Sequence, residues 1–489
     1  MNSKQFLFVL GMVTLAALNS CSGLKTPCTT NCGGSGNASL SITISDTTPT
    51  GASVVSFSLP IIGITLTPSS GSPVSVFSSS SGTAFELTRL QTDTNLIANN
   101  VSVAPGTYTA INVTVAAPSG VFLNTSSASM GSCVASAVCA LSGSAATITY
   151  TFSPSMTLTA NANQWLDLDF NYNNAVVAGS SGALSIDLTQ SGVMTATSTV
   201  PTGIASGAFA NLDDYTGSVT AVSSSSVTVE SSLRGSATFT INSSTQVIDP
   251  LGQCTNASTP LACIQSGSII SVQGVLTTAG VPTATSLDII DISTSPADEV
   301  EGIIYPSSCN GGSNYGMIIS DSEIFTSGSP LTSAGFGSGV CLTLSSSAAF
   351  AVDTGLLTQS GVASGSSFPG FAGSQDILAG QMVRAKITGA ASSSSTINAT
   401  ATELILRFSR LTGTVSTTAG TTGFTISNLP PYLGTTFSTA PTVLTSTATL
   451  LEGADSVGDL TGTVSMSALY LNANDGAQYW FEAQKVRQQ

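Results

Sequence analysis

Apolar residues alternate with serine and threonine along most of this chain, and this period of two most constrains its fold. Leu40, Ile42 and Ile44 alternate with hydroxyl residues, and the stretch from Ile111 to Val115 repeats the pattern. Successive side chains of a strand point to opposite faces, so this alternation is typical of half-buried strands. Turn residues recur at the spacing of about 8–12 residues that short strands produce. We therefore predict an all-β protein built of sandwiches or barrels.

The composition fits a secreted β protein. Charged residues make up 7% of the chain, whereas ordinary soluble domains contain about 25%. Serine, threonine, asparagine and glycine must then form most of the surface. Hydrophobic residues, at 42%, are still numerous enough to build cores, which separates the chain from disordered proteins. The length of 489 residues predicts roughly three or four domains.

The first residues have the form of an export signal. Lys4 precedes an apolar stretch from Phe6 to Leu18, and small residues then lead to Cys21. This order resembles a bacterial lipoprotein signal over residues 1–20, which implies cleavage before Cys21, a lipid on its sulfur and an acyl chain on its new amino group. We expect residues 21–37 to be a flexible tether. The expected location is the cell envelope, at the outer membrane or cell surface, with the membrane as partner through this lipid.

Charge is distributed unevenly and excludes one class of partner. Between residues 26 and 383 there are nineteen acidic residues and two basic ones, Arg89 and Arg234, whereas six of each follow from Arg384 onward. A chain this acidic cannot neutralise a phosphate backbone, so we do not expect a nucleic-acid partner.

Eight cysteines besides Cys21 fall into neighbouring couples, which suggests disulfides in an oxidising compartment. A zinc site is the alternative, but the spacings are not those of zinc sites and the chain has no histidine. Residues 28 and 32 form a couple that lies within the tether. The expected couples are Cys28–Cys32, Cys133–Cys139, Cys254–Cys263 and Cys309–Cys341.

Glycine-led strands mark a repeat in the second half of the chain. Gly217, Gly302 and Gly413 each open a unit with the pattern Gly-x-Val/Ile, and another glycine-led strand comes late in each unit. That order is similar to small OB-like barrels. We predict an N-terminal β-sandwich and three OB-like β-barrel units in series, with contacts thinning at joints near 199–213, 293–300 and 407–411. The predicted bounds are 38–198 for the sandwich and 213–292, 301–406 and 411–489 for the barrels.

Two family resemblances cover most of the chain after the signal. The strand from Leu40 to Asp46, the turn at Pro105-Gly106 and the segments Trp165 to Phe170 and Ala183 to Leu188 resemble domain of unknown function 4382. The three later units resemble domain of unknown function 5666. The first resemblance implies a β-sandwich of bacterial envelope lipoproteins, and neither family implies an activity.

The absence of histidine removes the usual hydrolase triads and zinc-hydrolase sites. Paired carboxylates remain, and Trp165, Asp167 and Asp169 share one face of a strand. One hypothesis is that these residues contact a sugar or Ca²⁺ in a site. The alternative is that they form a solvated outer face. Similarly, Asp213-Asp214 is expected to be solvated linker charge, with Ca²⁺ stiffening of the joint as the alternative.

Three aromatic residues are further candidates for ligand contact. Phe368 and Phe371 lie in a glycine- and serine-rich loop, where they are either exposed binding groups or tucked onto their own barrel. Trp480 is predicted on the polar side of a closing strand, as a stacking platform for a glycan or as a buried contact between domains.

Two functions remain open from these residues. The first is a non-catalytic envelope lipoprotein that binds a polysaccharide or another envelope protein, with no catalytic residues, metal or cofactor. The second is a carboxylate-based glycan-active enzyme that uses Asp167 and Asp169.

Overall fold

The computed structural model describes residues 36–489 apart from 180–181, 255–259, 294–295, 306–308, 310–313, 356, 358–369, 394–395, 419–421, 434–436, 438 and 474–477. The described chain is all-β, as predicted, with one single-turn helix at Tyr172–Ala175 and six short 3₁₀ turns. No helix within these residues is long and apolar enough to cross a membrane.

The N-terminal sandwich packs two sheets around one core. One sheet has the strand order β12-β9-β1-β4, and the other has the order β7-β6-β2-β5-β8 with β3 beside β2. Alternate residues such as Leu40, Ile42 and Ile44 of β1 are fully buried in this core, which is the outcome that their period of two predicts. The strands are β1 (Ala38–Asp46), β2 (Val54–Pro68), β3 (Val74–Glu86), β4 (Asn95–Val103), β5 (Gly106–Val115), β6 (Ser119–Asn124), β7 (Ala137–Ser142), β8 (Ala146–Leu158), β9 (Asn163–Phe170), β10 (Val176–Ala178), β11 (Leu184–Ile186) and β12 (Met194–Thr197).

Three small barrels follow in sequence. The first contains β13 (Ala208–Val222), β14 (Ser226–Ser231), β15 (Gly235–Thr240), β16 (Gln246–Ile248), β17 (Ile269–Thr277) and β18 (Pro282–Asp291). The second contains β19 (Asp298–Tyr305), β20 (Tyr315–Glu323), β21 (Gly339–Val352), β22 (Met382–Ser393) and β23 (Thr396–Arg407). The third contains β24 (Ser409–Thr418), β25 (Gly423–Ser427), β26 (Thr442–Leu444), β27 (Leu450–Glu452), β28 (Thr463–Ala473) and β29 (Gln478–Gln488).

The three barrels share one strand order. In each, the opening strand pairs with the next strand and with the penultimate one, and a parallel pair closes the ring: β15 with β18, β21 with β23, and β26 with β29. The short strands β16 and β27 lie parallel to the last strand of the first and third barrels. The chain therefore repeats one architecture three times.

The repeated glycines allow the strands of each ring to approach closely. A β-carbon at Gly217 would collide with the carbonyl oxygen of Glu230 on the neighbouring strand. Gly302 and Gly413 meet the next strand of their own barrels in the same way. Because any other residue would force these strands apart, glycine recurs at the start of each barrel.

In space, the four bodies pack against one another in every combination, not as a string. The sandwich contacts the first barrel through the backbone of Thr94, whose N–H donates to the Asn211 carbonyl. It contacts the second barrel through Arg89 with Glu301 and the third through Gln91 with Thr412. The barrels contact one another through Ser232 with Glu323, Gln273 with Gln484, and Gln381 with Tyr470. The expectation that contacts thin at the joints is wrong for residues 407–411 and 210–213, which are buried, whereas residues 199–207 are mostly exposed.

Candidate functional site

Eleven buried charged side chains meet where the four bodies join, and we call them the central charge cluster. None of these side chains is more than 7% exposed. Arg89 is the link between sandwich and barrels: it donates to Asp214 at 2.8 Å and to Glu301 at 2.7 Å. The cluster consists of Arg89, Asp213, Asp214, Arg234, Glu299, Glu301, Asp321, Asp353, Arg384, Arg407 and Arg410.

The two aspartates at the start of the first barrel are the centre of this cluster. Asp213 accepts from Arg89, Arg234 and Arg410, at 3.1, 3.2 and 3.1 Å. Asp214 accepts from Arg410 at 2.5 Å and also from Arg89 and Arg407. The expectation that Asp213-Asp214 is solvated linker charge is therefore wrong: both side chains are buried in β13 and neutralised by arginines.

Burial and ion pairing oppose each other in the pKa values of these acids. Burial raises the pKa of Asp213 to about 7. Burial would also raise the pKa of Asp214, but attraction to Arg89, Arg410 and Arg407 outweighs it and holds that pKa well below its usual range. For Glu301, Arg89 and Arg407 likewise overcome burial and bring the pKa down to about 2. The cluster therefore retains buried negative charge that only the arginines can balance.

The basic residues of the described chain are all used internally. All eight of its lysine and arginine side chains take part in ion pairs, and seven of them are no more than 16% exposed. Lys386 is the most exposed at 27%. Outside the central cluster, Lys485 pairs with Asp93 of the sandwich and Arg487 pairs with Glu452. The described residues therefore place little unpaired positive charge at the surface.

Trp165, Asp167 and Asp169 lie on the face of β9 opposite the sandwich core, as the alternation predicts. The structure nevertheless buries Trp165 and Asp167, because other bodies cover this face. Trp165 stacks on Phe209 of the first barrel with the ring centroids 6.1 Å apart, and its Nε1 donates to Thr43 Oγ1 at 2.8 Å. The face is therefore an interface between bodies and is not solvated.

The two carboxylates are held by hydroxyl groups of the neighbouring strand β1 and of Thr47, which directly follows it. Asp167 accepts from Thr43 at 2.6 Å and from Ser45 at 2.5 Å, and Asp169 accepts from Thr47 at 2.6 Å. Burial raises the pKa of both carboxyls. Within the described residues, no group of three or more cysteine, aspartate and glutamate side chains could hold a metal ion.

The remaining aromatic candidates take part in packing where the structure describes them. Phe371 is buried and meets Phe350 edge to face at 5.5 Å, so this part of the loop is tucked onto its own barrel. Trp480 is half-buried against the core of the second barrel, while Phe481 faces the core of the third. Phe368, Cys21, Cys28 and Cys32 lie outside the described residues.

Three of the expected disulfides are present. Cys133–Cys139, Cys254–Cys263 and Cys309–Cys341 each have Cα atoms 5.7 to 5.8 Å apart, within the range that a disulfide requires. Each bond closes a loop inside one body, the sandwich, the first barrel and the second barrel respectively. None of these three bonds ties one body to another, so interdomain cohesion rests on packing and ion pairs.

A cleft of about 1260 Å³ opens between the sandwich and the first two barrels. The sandwich wall is made of β3 and β4, which are edge strands: within the described residues β3 pairs with β2 and β4 with β1. The opposite wall is made of β13, the turn between β14 and β15, and the end of β20. Its size suits a ligand larger than a typical cofactor.

A carboxyl of raised pKa and two serines line the floor of this cleft. Glu323 accepts from the Ser232 backbone N–H and from its hydroxyl at 2.8 Å. Burial, and then the nearby charge of Asp321, raise the pKa of Glu323 to about 7. Ser231 Oγ is buried and has no hydrogen-bond partner among the described residues. A buried hydroxyl without a partner is costly.

Sequence reasoning missed both the central charge cluster and the cleft. The partners of the cluster lie up to 212 residues apart along the chain, so no local spacing reveals them. One usable signal was present: five of the six arginines lie in or beside strand patterns, where an arginine without a partner is costly. The residues of the cleft floor, Ser231 and Ser232, are ordinary turn residues in sequence.

Comparison with known proteins bears on the N-terminal part. No curated protein matches the chain. Residues 37–189 match the family described as Domain of unknown function (DUF4382), as their sequence resemblance predicts, and this range runs from β1 to β11. The N-terminal sandwich, though not the chain as a whole, is thus similar to this family of domains.

Proposed function

We propose that this protein is a lipid-anchored, non-catalytic binding protein of the bacterial cell envelope, at the outer membrane or cell surface. The observation that carries the binding role is the cleft between the edge strands of the sandwich and the first two barrels. Its floor holds a buried hydroxyl without a partner, Ser231, and a carboxyl of raised pKa, Glu323. Such convergent polar groups in a cleft are typical of a binding site.

The envelope location is supported by the sequence and by the disulfides. Cys21 follows the apolar stretch and small residues of a lipoprotein-type signal. The three disulfides fit an oxidising compartment outside the cytoplasm. Attachment would come from lipid on Cys21, since the lysines and arginines of the described chain are engaged in ion pairs.

We assign the three barrels to the family of domain of unknown function 5666. Their shared strand order and parallel closure support a common origin, and the repeated glycine at the first strand supports it at the level of sequence. In the proposed function, the barrels fix the cleft: the first forms one wall and the second contributes Glu323 and Phe325.

The enzyme alternative has weaker support in this geometry. Asp167 and Asp169 are occupied by hydroxyl groups of Thr43, Ser45 and Thr47. They face an interface between bodies and do not line the cleft. General acid–base work needs a carboxyl within reach of substrate, so these two residues suit a packed interface better than a glycosidase site.

Two experiments test the proposal. Cys21→Ser should keep its signal unprocessed and should no longer fractionate with membranes as a lipidated species. A Cys21→Ser protein that is still processed and membrane-bound would refute the lipid anchor. Purified protein lacking residues 1–21 should then be screened against a polysaccharide panel, with both binding and turnover measured. If the wild type turns over a polysaccharide and the double variant Asp167→Asn with Asp169→Asn does not, the protein is the glycan-active enzyme instead.

A further inference from the structure

The lining of the cleft follows the backbone edge of β4 and not one of its faces. Eight consecutive residues, from Asn95 to Ser102, line the cleft. Only alternate residues would do so if a face of the strand were turned toward it. The consecutive lining therefore means that the edge of β4, with its outward N–H and C=O groups, is turned into the cleft. Ser75–Ser79 and Gly82–Phe85 of β3 line it in the same consecutive way.

The first barrel begins to pair with this edge and then leaves it. Thr94 N–H donates to Asn211 C=O at 2.9 Å, and Asp213 N–H donates to Thr94 C=O at 2.8 Å. This is an isolated parallel bridge between Thr94 and Leu212. Beyond Thr94, β13 pairs with β17 and β14. The first barrel meets β4 again at Asn100, whose Nδ2 donates to the Gly280 carbonyl at 2.8 Å, and between these two contacts the edge of β4 borders the cleft. An unpaired edge is a template for an added strand.

We infer that this cleft binds an extended peptide segment of a partner protein, added as a strand along the open edge of β4. This inference rests on the proposed binding function and names the partner class. Asn100 has a left-handed backbone, with φ at 51°, where the pairing of β4 with β1 shifts register. The regular edge therefore runs from Asn95 to Asn99, about 17 Å, enough for a strand of roughly five residues. Backbone hydrogen bonds to β4 would supply affinity, and the side chains on the opposite wall would supply specificity.

The charges of the cleft select the chemistry of the peptide. Glu230 and Glu323 line it, and neither forms an ion pair with a basic residue of the described chain. The guanidinium of Arg234 also lines it but is neutralised by Asp213 and Asp321. A lysine or arginine of the peptide would complement this acidic wall.

A matched pair of variants isolates the cleft. Ser78 and Ser80 are exposed serines two residues apart on β3, and Ser78 lines the cleft whereas Ser80 does not. Ser78→Arg places bulk and positive charge in the cleft, and Ser80→Arg makes the same change outside it. Because both side chains are exposed, neither substitution removes a buried contact. Circular dichroism of both variants checks that they are folded.

The probe is a displayed library of random decapeptides, selected on the wild-type protein. We expect peptides with alternating β-branched residues and at least one lysine or arginine. A selected peptide should bind Ser78→Arg at least about tenfold more weakly, and bind Ser80→Arg as it binds wild type. The same peptide with proline at alternate positions keeps its charge, loses its N–H donors and should not bind.

Hydrogen exchange distinguishes strand addition from side-chain contact. Bound peptide should slow exchange of amides within Asn95–Asn99, whereas a polysaccharide held by side chains would leave them unchanged. The inference is overturned if no selected peptide depends on Ser78, or if protection falls outside β4. If Ser78→Arg instead abolishes binding of a polysaccharide, the proposed binding function stands and the peptide inference fails. If neither screen yields a ligand, both the proposed function and the inference are refuted.

Discussion

Arg89 of the N-terminal sandwich donates to Glu301 of the second barrel at 2.7 Å, across 212 residues of chain. Both side chains are almost fully buried. Buried ion pairs contribute little net stability, but removing one partner leaves an uncompensated charge. The pair therefore acts mainly through specificity, because its charges are balanced when the sandwich and the barrels are docked in this arrangement.

Arg89→Met tests this role. The substitution leaves Asp213, Asp214 and Glu301 short of a cation, so we expect a loss of about 3–5 kcal/mol in the free energy of unfolding. Urea denaturation at pH 7 measures it. Lys386→Met is the control, because Lys386 is partly exposed and pairs with Asp291 alone in the described residues, and it should cost about 1 kcal/mol or less. Equal losses in the two variants would contradict the central role of Arg89.

Glu323 should make the stability of the protein depend on pH. Its pKa is raised to about 7 in the folded state, from about 4.3 in the unfolded chain. The folded protein thus binds the proton more tightly, so this stabilisation is complete below about pH 4.3 and is lost as the pH rises through about 7.

Glu323→Gln removes this titration, because the amide stays neutral at every pH. The difference in unfolding free energy between variant and wild type should therefore shift in favour of the variant by up to about 3 kcal/mol from pH 5 to pH 8. Urea denaturation at both values gives this difference. A constant difference for Glu323→Gln would mean that its carboxyl does not titrate in this range.

How far the sequence predicts this structure depends on the range of the interactions. The alternation at Leu40, Ile42 and Ile44 and the glycines at 217, 302 and 413 act between neighbours on a strand or adjacent strands, so they revealed strands and repeated barrels. Asp213-Asp214 was misjudged because a run rich in glycine and serine precedes it, and its arginine partners come from Arg89 to Arg410. Likewise, the face of Trp165 was predicted, but the barrel that covers it was not.

Trp165 should be essential for docking of the sandwich onto the first barrel. Its ring lies nearly parallel to that of Phe209, with 7° between the planes, and it is 4% exposed. Trp165→Ala should lower the free energy of unfolding by about 3–5 kcal/mol, since a large buried side chain leaves a cavity. Trp480→Ala, at a half-buried position, is the comparison and should cost less. If the Trp165 variant were as stable as wild type, the sandwich and first barrel would not depend on this contact.

The disulfides should stabilise their own bodies to different extents. Cys309–Cys341 joins residues 32 apart in sequence, whereas Cys133–Cys139 joins residues 6 apart. On the entropic model, the longer loop is worth about 3–4 kcal/mol and the shorter about 2 kcal/mol. Replacing each couple with two serines, followed by thermal and urea denaturation, should reproduce that order. Non-reducing peptide mapping of exported wild-type protein is the accompanying control, and free thiols at these four positions would show that the bonds do not form in the cell. Because neither bond crosses between bodies, the central ion pairs should be retained in both variants, and Arg89→Met should add to each loss independently.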